Sequence, residues 1–148
     1  MTTHSGGCHC GRVRFEIAAP AELDVTRCNC SICRMSGHLH LFVSQANFRL
    51  LSGEGELQTY TFNTGVAQHH FCRHCGIKSF YVPRSHPDGF SVNAHCLDAA
   101  TVASISVTEF DGEPILQPLR AGEVSQIFTS GEKARAVLGW SPEVSLEE

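Results

Sequence analysis

A chain of 148 residues is long enough for one domain with its own core, so its eight cysteines are not needed merely to staple a small protein. Its 42% hydrophobic and 18% charged residues, without low-complexity tracts, exclude a disordered segment. A formal charge of −4, with Lys78 and Lys133 the only lysines and the arginines scattered, excludes a nucleic-acid stripe or a polybasic membrane patch. The opening MTTHSGG has no signal-peptide character and no run reaches transmembrane length, so a reducing cytoplasm is the expected compartment. In such a compartment clustered cysteines bind metal more often than they pair with each other.

Along the chain, GGCHCG comes first and carries Cys8 and Cys10. The stretch 12–17 follows, alternating so that Val13, Phe15 and Ile17 share one face, which predicts a half-buried strand. RCNCSICR then places Cys28, Cys30 and Cys33 within six residues. Further strand-length runs at 39–43, 48–51, 57–62, 77–82, 90–97 and 105–110 are separated by Gly, Pro, Asn and Asp signals. FCRHCGIK contributes Cys72 and Cys75 between two of those runs. The body therefore reads as all-β, built of antiparallel strands. A short helix is expected at 131–138, ending at Gly139, and the acidic SPEVSLEE reads as a tail. Residues 1–120 are taken as the zinc-binding domain and 121–148 as a C-terminal extension.

Cys8-x-Cys10 and Cys72-x-x-Cys75 both have ligand spacing, and Gly11 and Gly76 follow directly where a tight knuckle needs a positive φ. If the two pairs share one ion, they form a closed four-thiolate site that staples the N-terminal region to the middle of the chain. Cys28, Cys30 and Cys33 then remain as three ligands from one turn, the pattern of a catalytic zinc with an open position. Cys96, or one of the nine histidines, is the alternative: it would close a second structural site. His69, His70, His74 and His95 are the histidines nearest to other motif residues. Three thiolates on a divalent ion leave a centre of formal charge −1, poor at making hydroxide but suited to accepting a further thiolate.

GGCHCG, CNCSICRMSG and FCRHCGIKSF together resemble the family of glutathione-dependent formaldehyde-activating enzyme and centromere protein V. The resemblance runs from about residue 6 to 97. It implies a β-tent fold of stacked antiparallel sheets stapled by zinc, with two zinc ions per chain. The structural zinc would sit on Cys8, Cys10, Cys72 and Cys75, and the catalytic zinc on Cys28, Cys30 and Cys33. It further implies a carbon–sulfur lyase whose partner is a small thiol, glutathione or its S-hydroxymethyl adduct.

Arg27 and Arg34 bracket the three-cysteine run and Arg73 lies inside the second knuckle. As a set they are candidate carboxylate-binding residues. Cys96, in the apolar FSVNAHCL, reads as core. His38 and His40 stand near the run and could act as acid or base, although a hydrogen-bonded structural histidine is the simpler reading. Two rival functions are a non-catalytic thiol carrier or protein-interaction module, and a rubredoxin-like iron or dithiol redox protein.

Overall fold

The computed structural model describes residues 1–112, and the compact unit that holds them runs from Met1 to Pro114. The fold is mostly β, with two sheets. The smaller contains β1 (Thr2–Gly7), β2 (Arg14–Ala19) and β5 (Phe48–Ser52), in the order β1-β2-β5. The larger contains β3 (Glu22–Cys28), β4 (Leu39–Ser44), β6 (Leu57–Tyr60), β7 (Gln68–Cys72), β8 (Phe80–Val82), β9 (Gly89–Asn93) and β10 (Ser104–Phe110). Its order is β10-β3-β4-β9-β8-β7-β6. All pairings are antiparallel except β10 with β3, which makes this sheet mixed.

The alternation at 12–17 does what period-two patterning dictates. Val13, Phe15 and Ile17 are buried, while Arg14 and Glu16 lie toward the rim. Phe15 joins the two sheets, stacking on Phe48 of β5 at 5.6 Å and meeting Phe80 of β8 edge-on at 5.7 Å. Leu23, Val25, Leu41, Val43 and Val92 complete the core from the larger sheet.

Several expected strands are shorter than their apolar runs. The run at 77–82 becomes strand only from Phe80, because the preceding residues finish a knuckle in which Cys72 N donates to Ile77 O at 3.0 Å. The run at 90–97 leaves the sheet after Asn93, whose Oδ1 accepts from Leu39 N and His95 N at 3.1 and 3.2 Å and turns the chain into a 3-10 segment. Strands β1, β3 and β7 are rich in polar residues and carried no clear sequence signal. Among the described residues the one α-helix, α1 (Ser31–Ser36), begins within RCNCSICR and runs two residues past it. The helix expected at 131–138 lies outside the described residues. No described helix is long and apolar enough to cross a membrane.

Candidate metal centres

The first centre joins two matching turns. Cys8 follows β1, and the loop turns back so that Gly11 N donates to Cys8 O, with Gly11 at φ 77°. Cys72 ends β7, and Gly76 N donates to Cys72 O with Gly76 at φ 73°, a conformation a Cβ would oppose. The Sγ atoms of Cys8, Cys10, Cys72 and Cys75 all lie within 4.8 Å of one another. Cys10 Sγ is 3.5 Å from that of Cys8 and 3.6 Å from that of Cys72. Those separations fit a tetrahedron with zinc–sulfur bonds of 2.3 Å, whose edges are about 3.8 Å. They are far from the roughly 2.05 Å of a disulfide, and all eight cysteines are free thiols.

Fixed N–H groups already favour negative charge on this cluster. Burial raises the Cys75 pKa, but the Ile77 and Cys10 amides and the Cys72 and Cys10 thiols outweigh it and bring Cys75 down to about 6. Cys10 goes the other way: the Arg12 amide lowers it, yet burial and the three neighbouring thiols carry it up to about 11. Val13 N also donates to Cys8 Sγ at 3.3 Å. A soft, four-sulfur donor set of this spacing fits a tetrahedral metal ion.

The second centre is built where β3 ends and α1 begins. Cys28 is the last residue of β3, Cys30 is the N-cap of α1 and Cys33 is the buried residue of that helix. Gly37, at φ 59°, ends the helix and returns the chain to β4. The ligand atoms of Cys28, Cys33 and His40 lie within 4.8 Å of one another. Cys30 is not in that set, although its thiol is near enough to those of Cys28 and Cys33 to influence their ionisation. Although burial raises its pKa, the Cys33 and Ile32 amides and those thiols bring Cys30 below the usual thiol value, whereas burial pushes Cys28 and Cys33 up.

The fold puts His40, whose sequence position suggests a structural histidine, against the cysteines. Its Nε2 is 3.2 Å from Cys33 Sγ and its Nδ1 is 2.8 Å from Ser91 Oγ, which also meets His38 Nε2 at 3.2 Å. Cys33, His40, Ser91 and His38 thus form a continuous buried chain of hydrogen bonds. Burial, then Lys78 and His69, lowers His40 to about 4, and His38 is driven lower still by burial, Lys78 and His40. Both rings are neutral at pH 7. Cys96 lies apart, its thiol raised by burial and in contact with Ser79.

A cavity of about 310 Å³ opens on this centre, lined by Cys28, Cys33, Arg34, His38 and His95 among others. Arg27 also lines it, but its guanidinium pairs with Glu109 at 2.7 Å. Arg34 is exposed at the mouth. Arg73 is in the knuckle of the first centre, where its N–H bonds Glu56 O, so the three arginines do not converge on one ligand. Two residues that the sequence did not single out shape the site. Asn29 Oδ1 accepts from Gly112 N at 2.8 Å, and a Cβ on Gly112 would lie 2.3 Å from Cys28 Sγ. Only a glycine lets the chain after β10 cross the thiol this closely.

With two cysteine clusters at these positions, residues 3–110 match the model of the glutathione-dependent formaldehyde-activating enzyme family. The chain belongs to that family. It is 32% identical over 78 residues to a Halomonas elongata protein whose name assigns it, provisionally, as a glutathione-dependent formaldehyde-activating enzyme. That match covers 47% of this chain and 50% of the relative, so the chain spans about half the length of the curated relative it matches. A crystal structure of a Rhodobacter sphaeroides protein is similar with a TM-score of 0.60 and 33% identity, over 70% of this chain and 99% of the other.

Proposed function

We propose that this member of the formaldehyde-activating family is a carbon–sulfur lyase that binds glutathione, or its S-hydroxymethyl adduct, at the Cys28–Cys30–Cys33 centre. The observation that carries the reading is a second, separate cysteine cluster opening onto a 310 Å³ cavity. Cys28, Cys30 and Cys33 would hold the catalytic zinc, and Cys8, Cys10, Cys72 and Cys75 the structural one. Zinc held by the three cysteines would supply a soft Lewis-acid position able to keep a substrate thiol deprotonated near neutral pH.

The chain's own residues account for the rest. The reaction forms one carbon–sulfur bond: the sulfur pair adds to the carbonyl carbon, the C=O π pair moves onto oxygen, and that oxygen takes up the proton the thiol lost. When Cys33 is a thiolate, His40 Nε2–H donates to it, Ser91 O–H donates to His40 Nδ1, and His38 Nε2–H donates to Ser91. His38 Nδ1 is then a lone pair, buried and without a partner among the described residues. The His38 residue belongs to the lining of the cavity. Arg34 at the mouth offers its guanidinium to a glutathione carboxylate.

Formaldehyde and glutathione combine spontaneously, so the decisive assay measures the rate above that background with zinc-loaded protein. Acceleration lost in Cys30→Ser supports the lyase. Thiol binding seen by calorimetry without acceleration would make the protein a carrier, and absence of thiol binding would refute the open-site reading altogether.

A further inference from the structure

Cysteine spacing leaves open whether a histidine closes the second centre, and the fold brings His40 to it. In the pairing of β3 with β4, His40 lies opposite Thr26, so it shares a sheet face with Cys28, two residues further along β3. Its ligand atom is within 4.8 Å of the Cys28 and Cys33 sulfurs, and Nε2 is 3.2 Å from Cys33 Sγ. Zinc–nitrogen and zinc–sulfur bonds of about 2.05 and 2.3 Å at a tetrahedral angle put two such ligand atoms about 3.6 Å apart. The observed contact is a little inside that edge, as the 3.5 and 3.6 Å sulfur contacts of the first centre are inside theirs.

The ring is also held as a ligating imidazole is held. Its Nδ1 meets Ser91 Oγ at 2.8 Å, and Ser91 is fully buried on β9. A ligating histidine almost always gives its other N–H to an acceptor, which fixes the tautomer and turns the remaining lone pair toward the metal. Phe42 stacks on the His40 ring with centroids 5.6 Å apart, and Tyr81 packs against it at a steep angle at 5.8 Å. The side chain is buried, so these contacts fix where Nε2 points. One neutral imidazole beside thiolates is an ordinary donor set for zinc and adds no charge to the centre.

We infer that His40 Nε2 is a ligand of the second centre, completing a closed four-ligand site with Cys28, Cys33 and, from the N-cap of α1, Cys30. A thiol that reaches the metal then enters by exchange and not at an open position. Its metal–sulfur bond forms as the metal–nitrogen bond breaks, and its proton goes to the buffer. The released ring stays neutral and needs only its other tautomer, Nε2–H, to donate to Cys33. The exchange rests on the thiol-binding reading above, and the ligand assignment does not.

The test uses the full chain, 15N-labelled and loaded with 113Cd in place of zinc. A scalar coupling should join one cadmium resonance to one imidazole nitrogen, and it should be lost in His40→Gln. In chelator competition at pH 7, Ser91→Ala should weaken zinc binding at the second centre by about 10- to 100-fold, as loss of an orienting partner does at other zinc sites. His40→Gln should weaken it further still, although glutamine keeps a hydrogen-bond donor, while the first centre retains its ion and so marks a folded chain. Saturating mercaptoethanol should abolish the coupling in wild type. Cadmium-loaded wild type with no coupling to an imidazole would overturn the assignment without any variant having to fold. So would zinc affinity within twofold of wild type in His40→Gln. Coupling that persists while calorimetry shows thiol bound would overturn the exchange. If wild type binds no thiol, the thiol-site reading fails, and the coupling still decides whether His40 is a ligand.

Discussion

Replacing Cys72 by serine attacks the point where the first centre closes the fold. Cys72 is fully buried at the end of β7, and its sulfur meets that of Cys10 across 62 residues of chain. Closing a loop of that length removes about 4 kcal/mol of unfolded-chain entropy by the usual cross-link relation. The full worth of a structural zinc in finger peptides is on the order of 10 kcal/mol, as large as the whole stability of a typical domain. The smaller figure is therefore a floor. At about 4 °C per kcal/mol for a chain of this size, Cys72→Ser should lower the melting temperature by at least about 15 °C, or unfold the protein outright. Thermal unfolding followed by circular dichroism, with zinc per chain determined on the same samples, measures this. Cys30→Ser, in a cluster drawn from one short stretch of chain and not in the one that ties distant segments together, should lose one ion and stay folded. Melting of Cys72→Ser within 2 °C of wild type, or equal collapse of the two mutants, would refute the division into a structural and a chemical centre.

Arg34→Ala should weaken glutathione binding by at most about fivefold, because an exposed ion pair is worth about 0.2–1 kcal/mol. Mercaptoethanol, which has no carboxylate, should bind unchanged in calorimetry. Gly112→Ala pushes a methyl group to 2.3 Å from Cys28 Sγ, so the thiol must move. Zinc affinity of the second centre should fall by about 10- to 100-fold in chelator competition, as for other disturbed ligand surroundings, while the first centre keeps its ion. His38, His40 and His69 have folded pKa values lowered from 6.5 by burial, to about 2, about 4 and about 4. They favour the fold fully above pH 6.5, and that contribution is lost as pH falls from 6.5 toward 4, by up to about 1.4 kcal/mol per pH unit for each ring. Urea midpoints between pH 7 and 5 should fall accordingly, and His38→Gln should flatten the fall by about a third; an unchanged slope would contradict the buried neutral state of His38.

Much of this protein could be read from local spacing. A Cys-x-Cys or Cys-x-x-Cys followed by glycine is a short-range geometric instruction, and both knuckles adopt the positive φ that Gly11 and Gly76 permit. The alternation of Val13, Phe15 and Ile17 likewise depends only on the two-residue period of a strand, and these residues form the core. What lay beyond the sequence depends on contacts between distant segments. β3 has the buried alternation Leu23 and Val25, but its polar residues hid it until β10 supplied a parallel partner. Cys28, Cys30 and Cys33 are legible as a cluster, whereas His40 joins them only because α1 and Gly37 fold the chain back onto β4. Ser91 reaches the same point from β9 and Gly112 from beyond β10. Ligand spacing is set by bonds along the chain and survives in sequence. The charge, hydrogen bonding and access of the site are set by which strands lie side by side, and strand order follows from burial of the whole core.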